Sequence, residues 1–168
     1  QGGENALSVL AIGEEGSFLH APDIYMKKIA YGYKYENLEI NIDDEPTKII
    51  KEFSKYSKIR NENIVVCILD RPRHKELISQ VRSTGARIKL IPDGDVSAVI
   101  ATSIDESGID IYMGTGGSPE GVLAAAALRC MGGKIYSKLI YDNDDSFERA
   151  KKMGVLDKNQ VFETNDLA

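Results

Sequence analysis

The chain has 168 residues, 42% hydrophobic and 28% charged, the balance of a soluble domain large enough to bury a core. Its net charge of -5 argues against nucleic acid or an anionic membrane as the main partner. No apolar stretch is long enough to span a bilayer and none reads as a signal peptide, so a cytoplasmic protein is expected.

The chain opens on Gln1-Gly2-Gly3-Glu4 without an initiator methionine, as an excised piece of a longer protein would. Leu7–Ile12 is a short apolar run that predicts a strand, and Asp23–Tyr31 reads as helical. Pro46–Tyr56 puts Ile49, Ile50 and Phe53 on one face of a helix with proline in its first turn. Ile64–Leu69 (IVVCIL) is apolar throughout and rich in β-branched residues, which predicts a strand buried on both faces. A helix over Pro72–Ser83 closes at Gly85, followed by a strand at Arg87–Ile91 and a short helix at Val96–Ala101. A strand at Ile109–Met113, a helix at Pro119–Met131 and a strand at Lys134–Ile140 come next. A last helix runs from Asp145 to Met153 and ends at Gly154.

This alternation predicts an α/β fold, a mostly parallel sheet with helices on both faces, organised as one domain over residues 1–168. Cys67, in the apolar strand, and Cys130, at the end of an apolar helix, both read as small buried hydrophobes of a reducing compartment rather than as a disulfide or metal pair.

In such sheets ligands bind beyond the carboxyl ends of the strands, which directs attention to three strand-to-helix junctions. In Asp70-Arg71-Pro72-Arg73-His74, two arginines stand at a helix N-terminus, where cations oppose the helix dipole. A bound phosphate would reverse that penalty; the alternative is a solvated basic turn with Asp70 paired to an arginine. His74 is expected at the surface. In Asp93-Gly94-Asp95, the carboxylates suit sugar hydroxyls or part of a metal site, or else serve only as turn and helix cap.

The third junction is GTGGSPEG, Gly114 to Gly121. Gly114, Gly116 and Gly117 allow close approach of a ligand to the backbone, Ser118 suits the N-cap and Pro119 the first helical position. Glu120 either compensates the dipole or, beside a phosphate cradle, holds a divalent metal. The spacing matches neither the P-loop nor the dinucleotide fingerprint. Together the three junctions describe a site for a phosphorylated polyol.

The stretch GTGGSPEGVLAAAALRCMGG resembles the signature of the class II fructose-1,6-bisphosphatases, within the lithium-sensitive sugar and inositol phosphatase superfamily. GGENALSVLAIGEEGSFLHAPDIYMKKIAYG, VVCILDRPRHKELI and ARIKLIPDGDVSAVI resemble the same family in the same order, so the likeness covers nearly the whole chain. The resemblance implies hydrolysis of the 1-phosphate of fructose 1,6-bisphosphate with Mn²⁺ or Mg²⁺, a role in gluconeogenesis and glycerol metabolism, and a homo-oligomer. By resemblance, Tyr25, Arg71, Pro72, Arg73, Asp93, Gly94, Asp95 and Gly117 contact substrate and Glu120 binds metal.

The departure from the family is its length. Members are longer, and their N-terminal part supplies most metal carboxylates within an Asp-x-x-(Asp/Glu)-Gly-Thr-like motif that does not occur here. The chain is therefore expected to be the substrate-binding, C-terminal part of the enzyme, with no catalytic residue of its own and little or no activity alone. Sedoheptulose 1,7-bisphosphate or an inositol phosphate as substrate, and a non-catalytic phosphosugar-binding module, stand as alternatives.

Overall fold

The apolar run Val65–Leu69 becomes strand β2, and the sheet is built outward from it. The computed structural model describes residues 8–168. Its strands are β1 (Tyr25–Tyr31), β2 (Val65–Leu69), β3 (Arg87–Ile91), β4 (Ile111–Gly117), β5 (Lys134–Leu139) and β6 (Val161–Glu163). The helices are α1 (Pro46–Ser57), α2 (Lys75–Ser83), α3 (Asp95–Ala101), α4 (Ser118–Met131), α5 (Asp144–Lys152) and α6 (Thr164–Leu167).

All six strands form one sheet in the order β3-β2-β4-β1-β5-β6. β2 pairs in parallel with β3 and with β4, whereas β1 runs antiparallel to both β4 and β5, and β6 antiparallel to β5. It follows that β2, β3, β4 and β5 point one way and β1 and β6 the other. The parallel strands reach their neighbours through helical crossovers, as the alternating pattern requires.

Helices cover both faces. α1 and α2 bury Ile49, Ile50, Phe53, Ile78 and Val81 on one face, against Ile29, Val66, Ile68 and Ile111. Phe53 meets the rings of Tyr31 and Tyr35 edge-on at centroid distances of 6.3 and 4.6 Å. Each buried side chain of this size contributes roughly 1.5–3 kcal/mol. The other face packs Met26, Ala30, Cys67 and Tyr112 beneath Val99 of α3, Ala125 and Leu128 of α4 and Leu167 of α6. The alanines of α4 let that helix lie close on the sheet, so its first turn has a fixed position over the end of β4.

The structure differs from the sequence reading in several places. The helix expected over Asp23–Tyr31 is instead strand β1. Its residues Met26, Lys28 and Ala30 face one helical layer and Ile29 and Tyr31 the other, so the strand is buried on both sides and shows no alternating pattern. The strand expected over Leu7–Ile12 does not form at the residues described; Leu7 lies outside them. Among the described residues that run pairs with no strand, and Val9–Ile12 lies instead along α4, bordering a groove of about 540 Å³ with Leu123, Ala126 and Ala127. Leu10 and Ile12 remain 82% and 87% exposed. Cys67 is buried as expected, and burial pushes its thiol up to about 11, but Cys130 is exposed near the end of α4. β6 and α6 were not anticipated, being too short for periodicity to register. Among the described residues no helix is long and apolar enough to cross a membrane.

Candidate functional site

The ends of β2, β3 and β4 lie at one edge of the sheet, and β1, running the opposite way, begins there. Tyr25 is the direct register partner of Gly117, and Lys28 that of Gly114. The expected site residues therefore arrive at this edge from different parts of the chain.

At the first junction the helix starts with a 3-10 turn, Pro72–His74, before α2. Arg73 is held by its fork: Nε and Nη2 donate to the Thr115 carbonyl at 3.0 and 2.7 Å. Its guanidinium also lies over the Tyr25 ring, 4.8 Å from the centroid, a cation–π contact that restrains both side chains. Arg71 pairs with Asp93 rather than with Asp70: its Nη2 is 3.7 Å from Asp93 Oδ1, and its Nη1 donates to the Asp70 carbonyl at 3.2 Å.

His74 is buried, not at the surface. Its Nδ1 donates to the Leu69 carbonyl at 2.7 Å, and its Nε2 accepts the Thr115 amide proton at 2.8 Å. A carbonyl only accepts and an amide N–H only donates, so these partners assign the neutral tautomer with the proton on Nδ1. Burial, with Arg73 and Arg71 nearby, lowers the His74 pKa.

At the second junction Gly94 has φ +85°, a backbone conformation that disfavours any side chain. Its amide donates to Asp93 Oδ1 at 2.9 Å, which shapes the turn. Asp95 does not cap α3 but begins it, and its carboxylate turns inward to Lys28, with Oδ2 2.7 Å from Nζ. Lys28 is only 1% exposed. Burial lowers its pKa and the Asp95 carboxylate opposes that shift. Sequence reasoning missed this lysine because it sits amid the YMKKIAY run with nothing in its immediate neighbours to mark it.

At the third junction the glycines are strand, not loop: β4 continues to Gly117 because Tyr25–Lys28 pairs with Gly114–Gly117. The space they leave is filled by the chain itself. A Cβ at Gly116 would run into Asp95 Oδ2, and one at Gly117 into the Glu120 carboxylate. At Gly114 it would meet the Tyr112 hydroxyl at 3.1 Å and the His74 ring at 3.4 Å. The Tyr112 hydroxyl is buried, and no described residue hydrogen-bonds to it. Ser118, expected as the N-cap, is the first residue of α4. Its amide donates to the Ile24 carbonyl at 2.9 Å and its hydroxyl to the Pro22 carbonyl, tying α4 to the chain entering β1.

The edge thus presents two arginines, two carboxylates and an aromatic ring held by defined contacts, a donor and acceptor set suited to phosphate and hydroxyl groups. The model for "Bacterial fructose-1,6-bisphosphatase, glpX-encoded" matches residues 1–168. The chain belongs to this family. It is 41% identical to the D-fructose 1,6-bisphosphatase class 2/sedoheptulose 1,7-bisphosphatase of Trichodesmium erythraeum, over 99% of this chain and 52% of the relative. The enzymes of the same name from a Synechocystis strain and from Gloeobacter violaceus are 40% and 39% identical. They are covered over 99% and 100% of this chain, and each over 52% of its own length. The chain spans about half the length of these relatives.

Bacterial fructose-1,6-bisphosphatases of this family are metal-dependent phosphatases. The described residues do not build a complete metal centre: among them no three His, Cys, Asp or Glu side chains gather closely enough to hold an ion. Glu120 is exposed in the first turn of α4, and its carboxylate lies beside Gly117.

Proposed function

We propose that this chain is the substrate-binding side of a metal-dependent sugar bisphosphatase that removes the 1-phosphate of fructose 1,6-bisphosphate, giving fructose 6-phosphate and phosphate. The observation that carries this reading is the convergence of Arg71, Arg73, Asp93, Asp95, Tyr25 and Gly117 at one sheet edge. Arg71 and Arg73 supply charge-assisted donors to a phosphate, and Pro72 fixes the turn that carries them. Asp93 and Asp95 accept from sugar hydroxyls, with Gly94 allowing the turn between them. The Tyr25 ring forms a wall beside Gly117. Glu120 is one ligand of Mn²⁺ or Mg²⁺, the remaining carboxylates coming from the part of the protein this chain does not span. Binding, orienting and neutralising the sugar phosphate is the work of the residues described here.

The complete enzyme's place in gluconeogenesis, its cytoplasmic location and its homo-oligomeric state belong to the same reading and rest on family membership. A second substrate, sedoheptulose 1,7-bisphosphate, is favoured by the double name the relatives carry.

The test is phosphate release from fructose 1,6-bisphosphate with Mn²⁺, alongside thermal unfolding of the chain with and without the sugar. The expected result is a raised melting temperature without turnover for this chain, and turnover for a protein of the relatives' full length. Normal turnover by this chain, or no protection by the sugar, would overturn the reading.

A further inference from the structure

Lysine is among the residue types least often fully buried, yet Lys28 stands on one of the two central strands of the sheet with its ammonium under α3 and α4. Several residues accommodate it. A Cβ at Gly116 would collide with Asp95 Oδ2 and approach Lys28 Nζ to 3.3 Å. One at Gly121 would lie 3.3 Å from Lys28 Cε and 2.6 Å from Met26 Sδ. Two glycines of the GTGGSPEG stretch are therefore accounted for by the Lys28–Asp95 pair and its packing.

A buried ion pair is a poor device for stability, since apolar residues of similar volume usually serve as well or better. Its use here lies at the edge of the sheet. The Lys28 side chain is 1% exposed and that of Asp95 12%, so the ammonium sits within the core while the carboxylate reaches toward the junctions. Oδ2 is committed to Lys28, and Oδ1 accepts no hydrogen bond from the described residues. One oxygen is fixed and the other free.

We propose that Lys28 is a positioning residue for sugar recognition: it holds the Asp95 carboxylate so that Oδ1 accepts a hydroxyl of the bound sugar. This rests on the reading of Asp95 as a substrate contact. Held through Oδ2 by the ammonium, the carboxylate keeps one orientation, and Oδ1 remains a directional acceptor. The pair accordingly selects a ligand that carries a hydroxyl near its phosphate over phosphate alone.

The experiment is titration calorimetry of the chain with fructose 6-phosphate and, separately, inorganic phosphate, for wild type, Asp95→Asn, Lys28→Met and the double variant. Asp95→Asn is expected to weaken fructose 6-phosphate about tenfold or more and leave phosphate unchanged, the loss that accompanies removal of a charged acceptor. Lys28→Met should show the same selective loss, and the double variant should be no worse than either single one. If Asp95→Asn leaves the sugar affinity unchanged, or wild type binds neither ligand, the reading of Asp95 itself is wrong. If Asp95→Asn weakens the sugar but Lys28→Met does not, or weakens both ligands equally, Lys28 has no positioning role and the reading of Asp95 stands. Should Lys28→Met fail to fold, the ¹⁵Nζ resonance of Lys28 in the wild-type chain decides. It should shift with fructose 6-phosphate and not with phosphate, and a resonance indifferent to the sugar overturns the inference.

Discussion

His74 accepts the amide proton of Thr115 through Nε2 at 2.8 Å, so a buried imidazole on the β2–α2 connection holds the strand that carries the glycines. Arg73, its chain neighbour, grips the carbonyl of the same residue. The two contacts fix the end of β4 against the first junction and make the geometry of the edge depend on a neutral histidine.

That dependence gives a signed pH prediction. Burial depresses the folded-state pKa of His74 below its ordinary value of 6.5, so the unfolded chain binds the proton more readily. The contribution to stability is complete above about 6.5, declines as pH falls through that value, and levels off below the depressed folded-state value. Urea unfolding of wild type and His74→Phe between pH 5 and 8 should give curves that converge on the acid side. At neutral pH the variant should be less stable by about 2 kcal/mol, the cost of leaving the Leu69 carbonyl and Thr115 amide without a partner. Parallel curves would show that His74 does not titrate in this way.

Gly116 and Gly117 are adjacent in sequence and should respond differently to alanine. Gly116→Ala pushes a methyl into the Asp95 carboxylate inside the core, an overpacking expected to cost about 1–3 kcal/mol. Gly117→Ala meets the far end of an exposed glutamate, at a φ of -59° that alanine adopts freely. Its unfolding midpoint should move by less than about 0.5 kcal/mol, as at other exposed positions. Thermal melts of the two variants decide the point; equal losses would mean that the Asp95 rotamer yields easily.

Arg73→Ala should weaken fructose 1,6-bisphosphate binding by about 1.5–3 kcal/mol, the value of a charge-assisted contact. Calorimetric titration of the variant measures it. Unchanged affinity would remove Arg73 from the phosphate site and leave it as a clamp on Thr115.

Glu120→Gln should leave sugar binding to this chain intact and abolish metal-dependent turnover in the full-length protein. Mn²⁺ titration of activity provides the measurement. Retained activity would return Glu120 to the role of compensating the dipole of α4.

The parts of this fold legible in the sequence are those whose environment is uniform along the element. β2 is apolar at nearly every position because both its faces are covered, and α1 shows one stripe because only one of its faces is. β1 escaped because Lys27 and Lys28 interrupt it, and both are explained by distant residues: Lys27 Nζ reaches the Ile42 carbonyl at 2.6 Å, and Lys28 reaches Asp95. The arginines, aspartates and Glu120 could be singled out because each stands at a predicted junction. His74 could not be placed correctly, because its burial depends on Leu69 and Thr115 closing around it. The glycines stand out in the sequence as room for a ligand, but the space they vacate is occupied by Asp95, Glu120, Tyr112 and His74, side chains that local sequence does not reveal.

The antiparallel insertion of β1 has a consequence for how the chain acquires its shape. β2, β3 and β4 are joined by helical crossovers and can assemble from consecutive segments, whereas β1 must wait for β4 and β5, which follow it only after most of the chain. Closing so long a loop is entropically costly and slow relative to local pairing. Tyr25 and Lys28 ride on β1, while Arg73, Asp95 and Glu120 ride on the segments it joins. Docking of that one strand therefore completes the sheet and the ligand edge together, and recovery of sugar binding during refolding should report the last structural step.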